Sequence, residues 1–328
     1  MKSFKQIGRR SLLLLALAAP FVQAADFPSK PITMVIPFAP GGFVHLVGLM
    51  LSESMGASLG QPVVLANQPG ANGVVAAGNV MRAAPDGYTV MLTTMSILDV
   101  TPHLLKNPPF DPRSDFSSIG MVAETSNIFV VNPASGIKTF KDLVDKARQK
   151  PEGVSYGSTG NGSIQHISGE VLQREVNTKV LHVPYKGTGP AMIDLVGGRL
   201  SFVLGDATAL PYVKSGALTA IAVSPKPMAA LPGVPSLSEA AAAAGVPKYA
   251  IPSLWYGIIG PKGMPQDVLA RLNAALVETL AKPSVREKLI AGGAIPADNT
   301  SIGYLQDTIR SDFARYGDML KTINVTID

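Results

Sequence analysis

The sequence predicts an α/β protein of two lobes, each a mainly parallel sheet flanked by helices, with a ligand cleft between the lobes. Apolar runs of strand length alternate with longer runs of helical periodicity, as in strand–helix–strand units. A glycine-containing loop follows a strand in each half, at 39–42 and at 157–163. The order of elements also indicates that the chain leaves one lobe, builds a second and returns. Two connecting strands would then lie beneath one cleft.

The first lobe begins with a regular alternation of strands and helices. The strands are expected at 32–38, 63–65 and 89–93, and the helices at 46–59 and 74–84. Turn residues at 60–62 and 85–88 separate them. This order favours a parallel sheet with helices on its faces.

Strands at 121–123 and 128–131 should carry the chain into the second lobe. That lobe is expected to contain helices at 138–149, from the glycine-rich loop to about 175, and at 191–196, with strands at 180–183, 200–204 and 218–223. The proline-rich segment 225–235 should return the chain to strand 254–259 and to helices near 265–281, 285–291 and 304–323. We therefore place the first lobe at 25–124 and 226–328, and the second at 125–225.

The first 24 residues have the pattern of a secretory signal peptide. Four basic residues precede an apolar run at 12–22, and small residues at Val22 and Ala24 suit cleavage after Ala24. Eleven apolar residues are too few to span a bilayer. The pair Arg9-Arg10 leaves both the general and the twin-arginine export routes open. We expect a periplasmic mature protein.

The charge of the mature chain excludes some partners. Removing the four basic leader residues lowers the formal net charge from +5 to +1, because the leader contains no acidic residue. A nearly neutral chain without a basic run gives no reason to expect nucleic acid as a partner. Cysteine is absent, so no cysteine nucleophile or cysteine metal site exists.

The stretch 154–166 reads as a strand, a loop of small residues and a helix start. Small side chains would let the backbone N–H groups of 158–163 converge on one spot ahead of a helix N-terminus, which is a favourable anion site. The alternative is an ordinary polar turn with Ser163 as helix N-cap. The second loop, at 39–42, also follows a strand and precedes a helix. Two such loops facing each other across a cleft would hold a small anion.

Seven segments, in order along the chain, resemble a known family. They are 31–42, 67–73, 85–88, 110–116, 156–166, 182–187 and 255–257. With these segments the mature chain resembles, nearly end to end, the Bug family of extracytoplasmic solute receptors, which serve tripartite tricarboxylate transporters. The resemblance implies a type II periplasmic-binding-protein fold, a carboxylate ligand and the membrane components of a transporter as partners. It implies no cofactor and no metal, and we expect a monomer.

The resemblance also implies the binding residues. The first loop, a carboxylate cradle in the second lobe and a segment after a later strand would together contact the ligand. The expected site residues are Pro40, Gly41, Gly42, Phe43, Val44, His45, Ser96, Ser158, Thr159, Asn161, Gly162, Ser163, His166, Asp206 and Ala207.

The chain departs from the family at Phe43, Val44 and His45, where relatives usually have small or hydroxyl residues and then an aspartate. Residues that follow a strand's carboxyl end tend to face the crevice. Apolar and aromatic surface at this place favours an aromatic carboxylate or dicarboxylate such as terephthalate, or an aliphatic dicarboxylate. The alternative is that Phe43 joins the core and His45 faces solvent.

Three other residues also allow two interpretations. His166 would either face the ligand or order its own loop, and Asp206 would either meet the ligand or cap a helix near Thr208. Tyr256 would line the cleft floor or belong to the core, and Trp255 is expected in the core.

A hydrolase acting on a small carboxylic ester is the alternative function. The chain has no G-x-S-x-G or G-x-x-x-x-G-K-[ST] motif, and its four histidines are scattered without metal-ligand spacing. A structural envelope protein would not need two converging donor loops. The sequence therefore favours a binding protein.

Overall fold

The computed structural model describes residues 27–225, 227–228, 230–251 and 254–321. The predicted signal peptide and its cleavage site lie outside this range. In chain order the elements are β1 (Ile32–Ile36), α1 (Phe43–Leu59), β2 (Val63–Asn67), α2 (Val74–Met81), β3 (Thr89–Thr94), α3 (Thr101–Leu104), β4 (Phe116–Thr125), β5 (Asn127–Val131), α4 (Phe140–Gln149), β6 (Ser155–Ser158), α5 (Ile164–Val176), β7 (Leu181–Pro184), α6 (Thr188–Val196), β8 (Phe202–Gly205), α7 (Leu210–Lys214), β9 (Thr219–Ser224), α8 (Leu237–Ala243), β10 (Leu254–Pro261), α9 (Gln266–Ala281), α10 (Pro283–Ala291), β11 (Ala294–Pro296) and α11 (Ile302–Lys321).

The first sheet has the strand order β11-β4-β10-β3-β1-β2. Its β2-β1-β3 half is parallel, as expected, with Thr33 paired to both Val64 and Thr89. Strand β10 runs antiparallel to β3 and β4, and β11 runs antiparallel to β4. Strands β4 and β10 are the ones by which the chain leaves this sheet and returns to it.

The second sheet has the order β7-β6-β8-β5-β9. Strand β6 is parallel to β7 and β8, whereas β5 is antiparallel to β8 and β9. Strand β5 follows β4 after a single residue, Ser126, so the chain passes directly from the first sheet to the second. Both sheets are therefore mixed, and the expectation of mainly parallel sheets applies only to their strand–helix–strand halves.

The return to the first lobe differs from the prediction. Helix α8 packs on β9 and α4 of the second lobe. The buried Tyr249 stacks on Phe140 at 5.6 Å between ring centroids, and its hydroxyl donates to the Ser168 carbonyl. The chain enters the first sheet only at Leu254. The return placed at 226 is thus too early, because the apolar residues of 230–251 complete the core of the second lobe.

Helix α1 begins three residues earlier than predicted. Gly42 takes an extended conformation, with φ −82° and ψ 166°, and serves as the N-cap residue. Phe43, Val44 and His45 consequently form the first helical turn. Because successive helical residues point in directions about 100° apart, these three side chains face different surroundings.

Candidate ligand-binding site

A cavity lies between the two sheets where strands and helices of both lobes meet. Its volume is about 30 Å³, room for about two water molecules. Apolar residues and neutral polar residues line it, together with one carboxylate, and within the part of the chain that the structure describes no lysine or arginine lines it. The lining residues are Phe38, Gly42, Phe43, Val44, Thr94, Ser96, Thr159, Ile164, Gln165, Thr188, Asp206, Leu254 and Tyr256.

The loop after β1 contributes an apolar wall. Phe43 and Val44 are buried and line the cavity, and the Phe43 ring lies 5.1 Å from the Tyr256 ring at 56°. Tyr256 thus lies in the cleft floor. Pro40 and Gly41 are exposed, and neither lines the cavity. His45 is half-buried and does not line the cavity, since it lies on another face of the first turn of α1.

The loop at 158–163 differs from the predicted cradle because its polar groups mostly bond to one another. The Ser158 hydroxyl contacts His182 Nε2 at 2.6 Å and accepts from the Gly160 N–H at 3.1 Å. The Gly162 N–H donates to His166 Nδ1 at 3.1 Å. Left-handed φ values at Gly160 and Gly162 fold the loop back on itself, which explains the internal bonding. The N–H groups therefore do not all converge on one spot.

The same contacts show which of the two roles considered for Ser163 and for His166 the structure supports. Ser163 caps α5, since its Oγ accepts from the His166 N–H at 3.2 Å. His166 orders the loop through Gly162 and is not in the cavity wall. Thr159 lines the cavity, whereas Asn161 is exposed and lines a second cavity formed by residues of both lobes.

Several hydrogen bonds join this loop to the first lobe. The Ile164 N–H donates to Ser96 Oγ at 3.0 Å, and Thr101 Oγ1 lies 3.2 Å from the Gly162 carbonyl oxygen. Thr159 Oγ1 lies 3.1 Å from Asn72 Oδ1. The predicted site residue Ser96 thus both lines the cavity and supports the opposite loop. The two lobes are in direct contact around the cavity.

Asp206 caps the turn that follows it and also lines the cavity, so its contact with a ligand stays a prediction. Its carboxylate accepts from the Thr208 N–H at 3.0 Å and from the Thr208 hydroxyl at 2.6 Å, which caps the turn at 207–209. It also accepts from the Thr188 hydroxyl at 3.0 Å and lines the cavity. Burial raises the pKa of Asp206, and these hydrogen bonds oppose that rise. Ala207 lies behind it, in a separate apolar cavity that Phe43 also borders.

Three polar lining residues, Thr94, Gln165 and Thr188, were not predicted. Thr94 ends β3, and its buried hydroxyl has no hydrogen-bond partner within the described residues. Thr188 begins α6, directly after the loop that follows β7. The rule that strand carboxyl ends and the following helix starts face the crevice would have found both. Gln165 carries no such signal, because its direction depends on how α5 is rotated.

Trp255 belongs to the core, as expected. Its ring is buried, and its Nε1–H donates to the Asp312 carboxylate on α11 at 3.0 Å. The same strand therefore turns Tyr256 to the cavity and Trp255 to the opposite face, as the alternation of side chains along a strand requires.

The contacts do not support the hydrolase alternative. Ser158 and His182 form a serine–histidine pair, but the hydroxyl is 2% exposed, faces its own loop and does not line the cavity. Within the described residues no group of three His, Asp or Glu side chains could hold a metal ion. Across the same residues, no helix combines the length and apolar character of a membrane span.

The stacked pair His166 and His182, 4.2 Å apart, predicts a loss of stability in acid. Burial and the neighbouring His166 lower the pKa of His182 from 6.5 to about 4, and burial also lowers that of His166. Between pH 6.5 and 4 the unfolded state therefore binds more protons than the native state. Stability is full above pH 6.5 and falls toward pH 4, by about 1 to 2 kcal/mol for this partly solvated ring.

Urea unfolding at pH 7, 6, 5 and 4 measures this effect. His182→Gln keeps an amide that can bond to Ser158 and does not titrate, so its free energy of unfolding should fall less steeply across this range. Other titrating groups near the pair, such as Glu170 at 3.7 Å from His166 Nε2, act in both proteins. Equal pH slopes in the two proteins would contradict the prediction.

The chain matches the model of the "Tripartite tricarboxylate transporter family receptor" family over residues 48–325. Protein BugT of Bordetella pertussis is 32% identical over 300 residues, which cover 90% of each chain. A UPF0065 protein from the TAR-I ttuE-ttuC' intergenic region of Agrobacterium vitis is 35% identical over 290 residues, 87% of this chain and 82% of the relative.

Solved structures of related proteins superpose closely on this chain. The periplasmic binding protein BugD superposes with a TM-score of 0.86 at 30% identity, covering 92% of this chain and 99% of BugD. Rpa4515 of R. palustris, solved with adipate, superposes with a TM-score of 0.85 at 28% identity, covering 92% of this chain and 99% of Rpa4515. MatC of Rhodopseudomonas palustris, solved with bound malate, superposes with a TM-score of 0.83 at 27% identity, covering 89% of this chain and 99% of MatC.

The chain has two α/β lobes with a cavity between them at the strand ends. This is the architecture of periplasmic binding proteins. The chain belongs to the tripartite tricarboxylate transporter receptor family, as the family match and the relatives show. It is accordingly a solute-binding receptor and not an enzyme. Members of this family are periplasmic binding proteins.

Proposed function

We propose that the protein captures an aromatic carboxylate or dicarboxylate such as terephthalate, or an aliphatic dicarboxylate, by closing its lobes. It then delivers the ligand to the membrane components of a tripartite tricarboxylate-type transporter. The observation that carries this proposal is the composition of the cavity wall. One part presents the rings of Phe38, Phe43 and Tyr256, and the other presents hydroxyl and amide groups.

The polar part of the wall suits a carboxylate held by neutral groups. Thr94 offers a hydroxyl donor and Gln165 an amide donor, and hydrogen bonds from neutral donors to a charged acceptor are stronger than neutral pairs. The unpartnered hydroxyl of Thr94 supports this role, because a buried polar group without a partner is costly. The family members solved with adipate and malate bind acids of this class.

The apolar part of the wall suits the body of the ligand. A flat ring or a methylene chain would pack against Phe43 and Tyr256, and an aromatic pair contributes about 0.5 to 1.5 kcal/mol beyond its buried area. The carboxylate of Asp206 disfavours a ligand with many negative charges, because no lysine or arginine among the described residues lines the cavity to offset it. A mono- or dicarboxylate should therefore bind better than citrate.

A thermal-shift and calorimetric panel of benzoate, terephthalate, adipate, malate and citrate tests the proposal. A true ligand at a hundred times its dissociation constant should add about 2.7 kcal/mol to the free energy of unfolding. Phe43→Leu keeps the core filled but removes the ring, so it should weaken aromatic acids by about 0.5 to 1.5 kcal/mol and spare aliphatic ones. Leu49→Ala, exposed on the same helix, is the control. The proposal fails if no acid of the panel binds.

We also propose that this chain is exported, cleaved after Ala24 and active as a monomer. The order of basic, apolar and small residues in 1–24 supports export. N-terminal sequencing of periplasmic material should find Ala25 first, and an intact Met1 would refute cleavage.

A further inference from the structure

Asn72 lies in a short turn, Ala71–Gly73, between β2 and α2. It is 3% exposed, and its backbone is left-handed, with φ 47° and ψ 41°. The preceding Ala71 also has a positive φ, of 44°. Two successive non-glycine residues in this region are unusual and persist only where surrounding contacts hold them, which is common at functional sites.

The side chain of Asn72 uses both ends of its amide. Its Nδ2 donates to Thr101 Oγ1 at 2.9 Å and to Ser96 Oγ at 3.2 Å, both in the first lobe. Its Oδ1 accepts from Thr159 Oγ1 at 3.1 Å, in the second lobe. Asn72 is therefore a direct hydrogen-bonded link between the lobes.

The two first-lobe partners of Asn72 also touch the second lobe. Ser96 Oγ accepts from the Ile164 N–H, and Thr101 Oγ1 lies beside the Gly162 carbonyl. All three contacts meet the segment 159–164, which carries the loop and the start of α5. Removing the amide would break one link between the lobes and release the two hydroxyls that form the others.

We propose that Asn72 is a latch that holds the two lobes together on segment 159–164 without help from a ligand. Asn72 does not line the inner cavity; it lines a second cavity of about 310 Å³ that is formed by residues of both lobes. It therefore acts by raising the population of the closed state. The apparent dissociation constant is the intrinsic one divided by the closed fraction, so the latch sets affinity without selecting the ligand. This role does not depend on which carboxylate binds.

Asn72→Gly tests the latch, because glycine adopts the left-handed conformation without strain and loses only the amide. Asn177→Gly is the matched control. Asn177 has nearly the same backbone, with φ 53° and ψ 45°, but its side chain is exposed at the end of α5. Both variants remove the same side chain from nearly the same backbone conformation. A difference between them therefore comes from where the side chain lies, between the lobes for Asn72 and at the end of α5 for Asn177.

The chain has no cysteine, so two introduced cysteines carry spin labels selectively. Lys106→Cys on the first lobe and Lys141→Cys on the second are exposed positions for this purpose. Pulsed EPR on the ligand-free protein should give mainly one short distance in the parent and in Asn177→Gly. In Asn72→Gly a longer distance should dominate. An open ligand-free parent, or an unchanged distribution in Asn72→Gly, would overturn the proposal.

Ligand kinetics give a second measurement, with adipate as the probe. In Asn72→Gly the dissociation rate should rise about fivefold to tenfold, the effect of losing about one net hydrogen bond, and the association rate should rise as well because the ligand enters through the open form. Failure of adipate to bind would count against the proposed ligand class only, because the EPR distances are measured without ligand. A dissociation rate equal to that of Asn177→Gly would overturn the latch.

Discussion

Asp206→Ala should lower the free energy of unfolding by about 3 kcal/mol and weaken ligand binding at least tenfold. The substitution removes the cap of the turn at 207–209, which contributes about 1 kcal/mol. It also leaves the hydroxyls of Thr188 and Thr208 without their acceptor, and a buried group without a partner costs about 1 to 3 kcal/mol. Binding should fall although a negative charge is removed, because the orientation of Thr188 in the cavity wall depends on this carboxylate.

Asp206→Asn is the matched control for this prediction. Asparagine caps a helix start as well as aspartate does and keeps an oxygen for Thr208, so it should cost less than about 1 kcal/mol. Urea unfolding measures stability, and calorimetry with the best acid of the panel measures affinity. If Asp206→Ala were as stable as the asparagine variant, the carboxylate would not organise this part of the cleft.

Gly169→Ala should lower the free energy of unfolding by about 3 kcal/mol, although an alanine in a helix ordinarily stabilises. A Cβ at Gly169 on α5 would lie 2.0 Å from Cζ of the Tyr156 ring. That ring is fully buried between the rings of His182 and Phe202, and its hydroxyl donates to the His166 carbonyl. The ring has no room to move, so α5 must shift, and Gln165 would shift with it.

Gly78→Ala in the middle of α2 is the control for Gly169→Ala. Its Cβ would meet only the mobile end of Arg82, at 3.4 Å, so the usual gain of up to about 1 kcal/mol should appear. Thermal and urea unfolding of both variants give the comparison. A stabilised or unchanged Gly169→Ala would mean that α5 is not packed closely on Tyr156.

Much of the architecture was predictable because it depends on local pattern. The buried run of β1, the glycine turn after it and the apolar periodicity of α1 follow from residues close together in the chain. Strand directions were less predictable. Strands β4, β5, β9 and β10 carry the chain between lobes, and whether such a strand pairs parallel or antiparallel depends on its neighbours in the sheet.

The candidate site also has a part that the sequence predicts and a part that it does not. Phe43, Val44, Ser96, Thr159 and Asp206 were predicted and line the cavity, because each follows a strand or begins a helix near a strand's carboxyl end. Ser158, Ser163 and His166 were predicted as ligand contacts, but they bond within the loop and to α5. Small polar side chains form local hydrogen bonds and ligand hydrogen bonds equally well, so their sequence pattern does not separate the two roles.

The sequence by itself determined the two-lobed α/β architecture, the family resemblance and the strand ends at which the cleft lies, because periodicity and turn residues are local properties. The tertiary structure alone decided which donors face the cavity and which face one another. It also decided that 230–251 completes the second lobe and that Asn72 links the lobes through Thr159. These contacts join residues far apart in the chain, and their geometry exists only once the helices and sheets have packed.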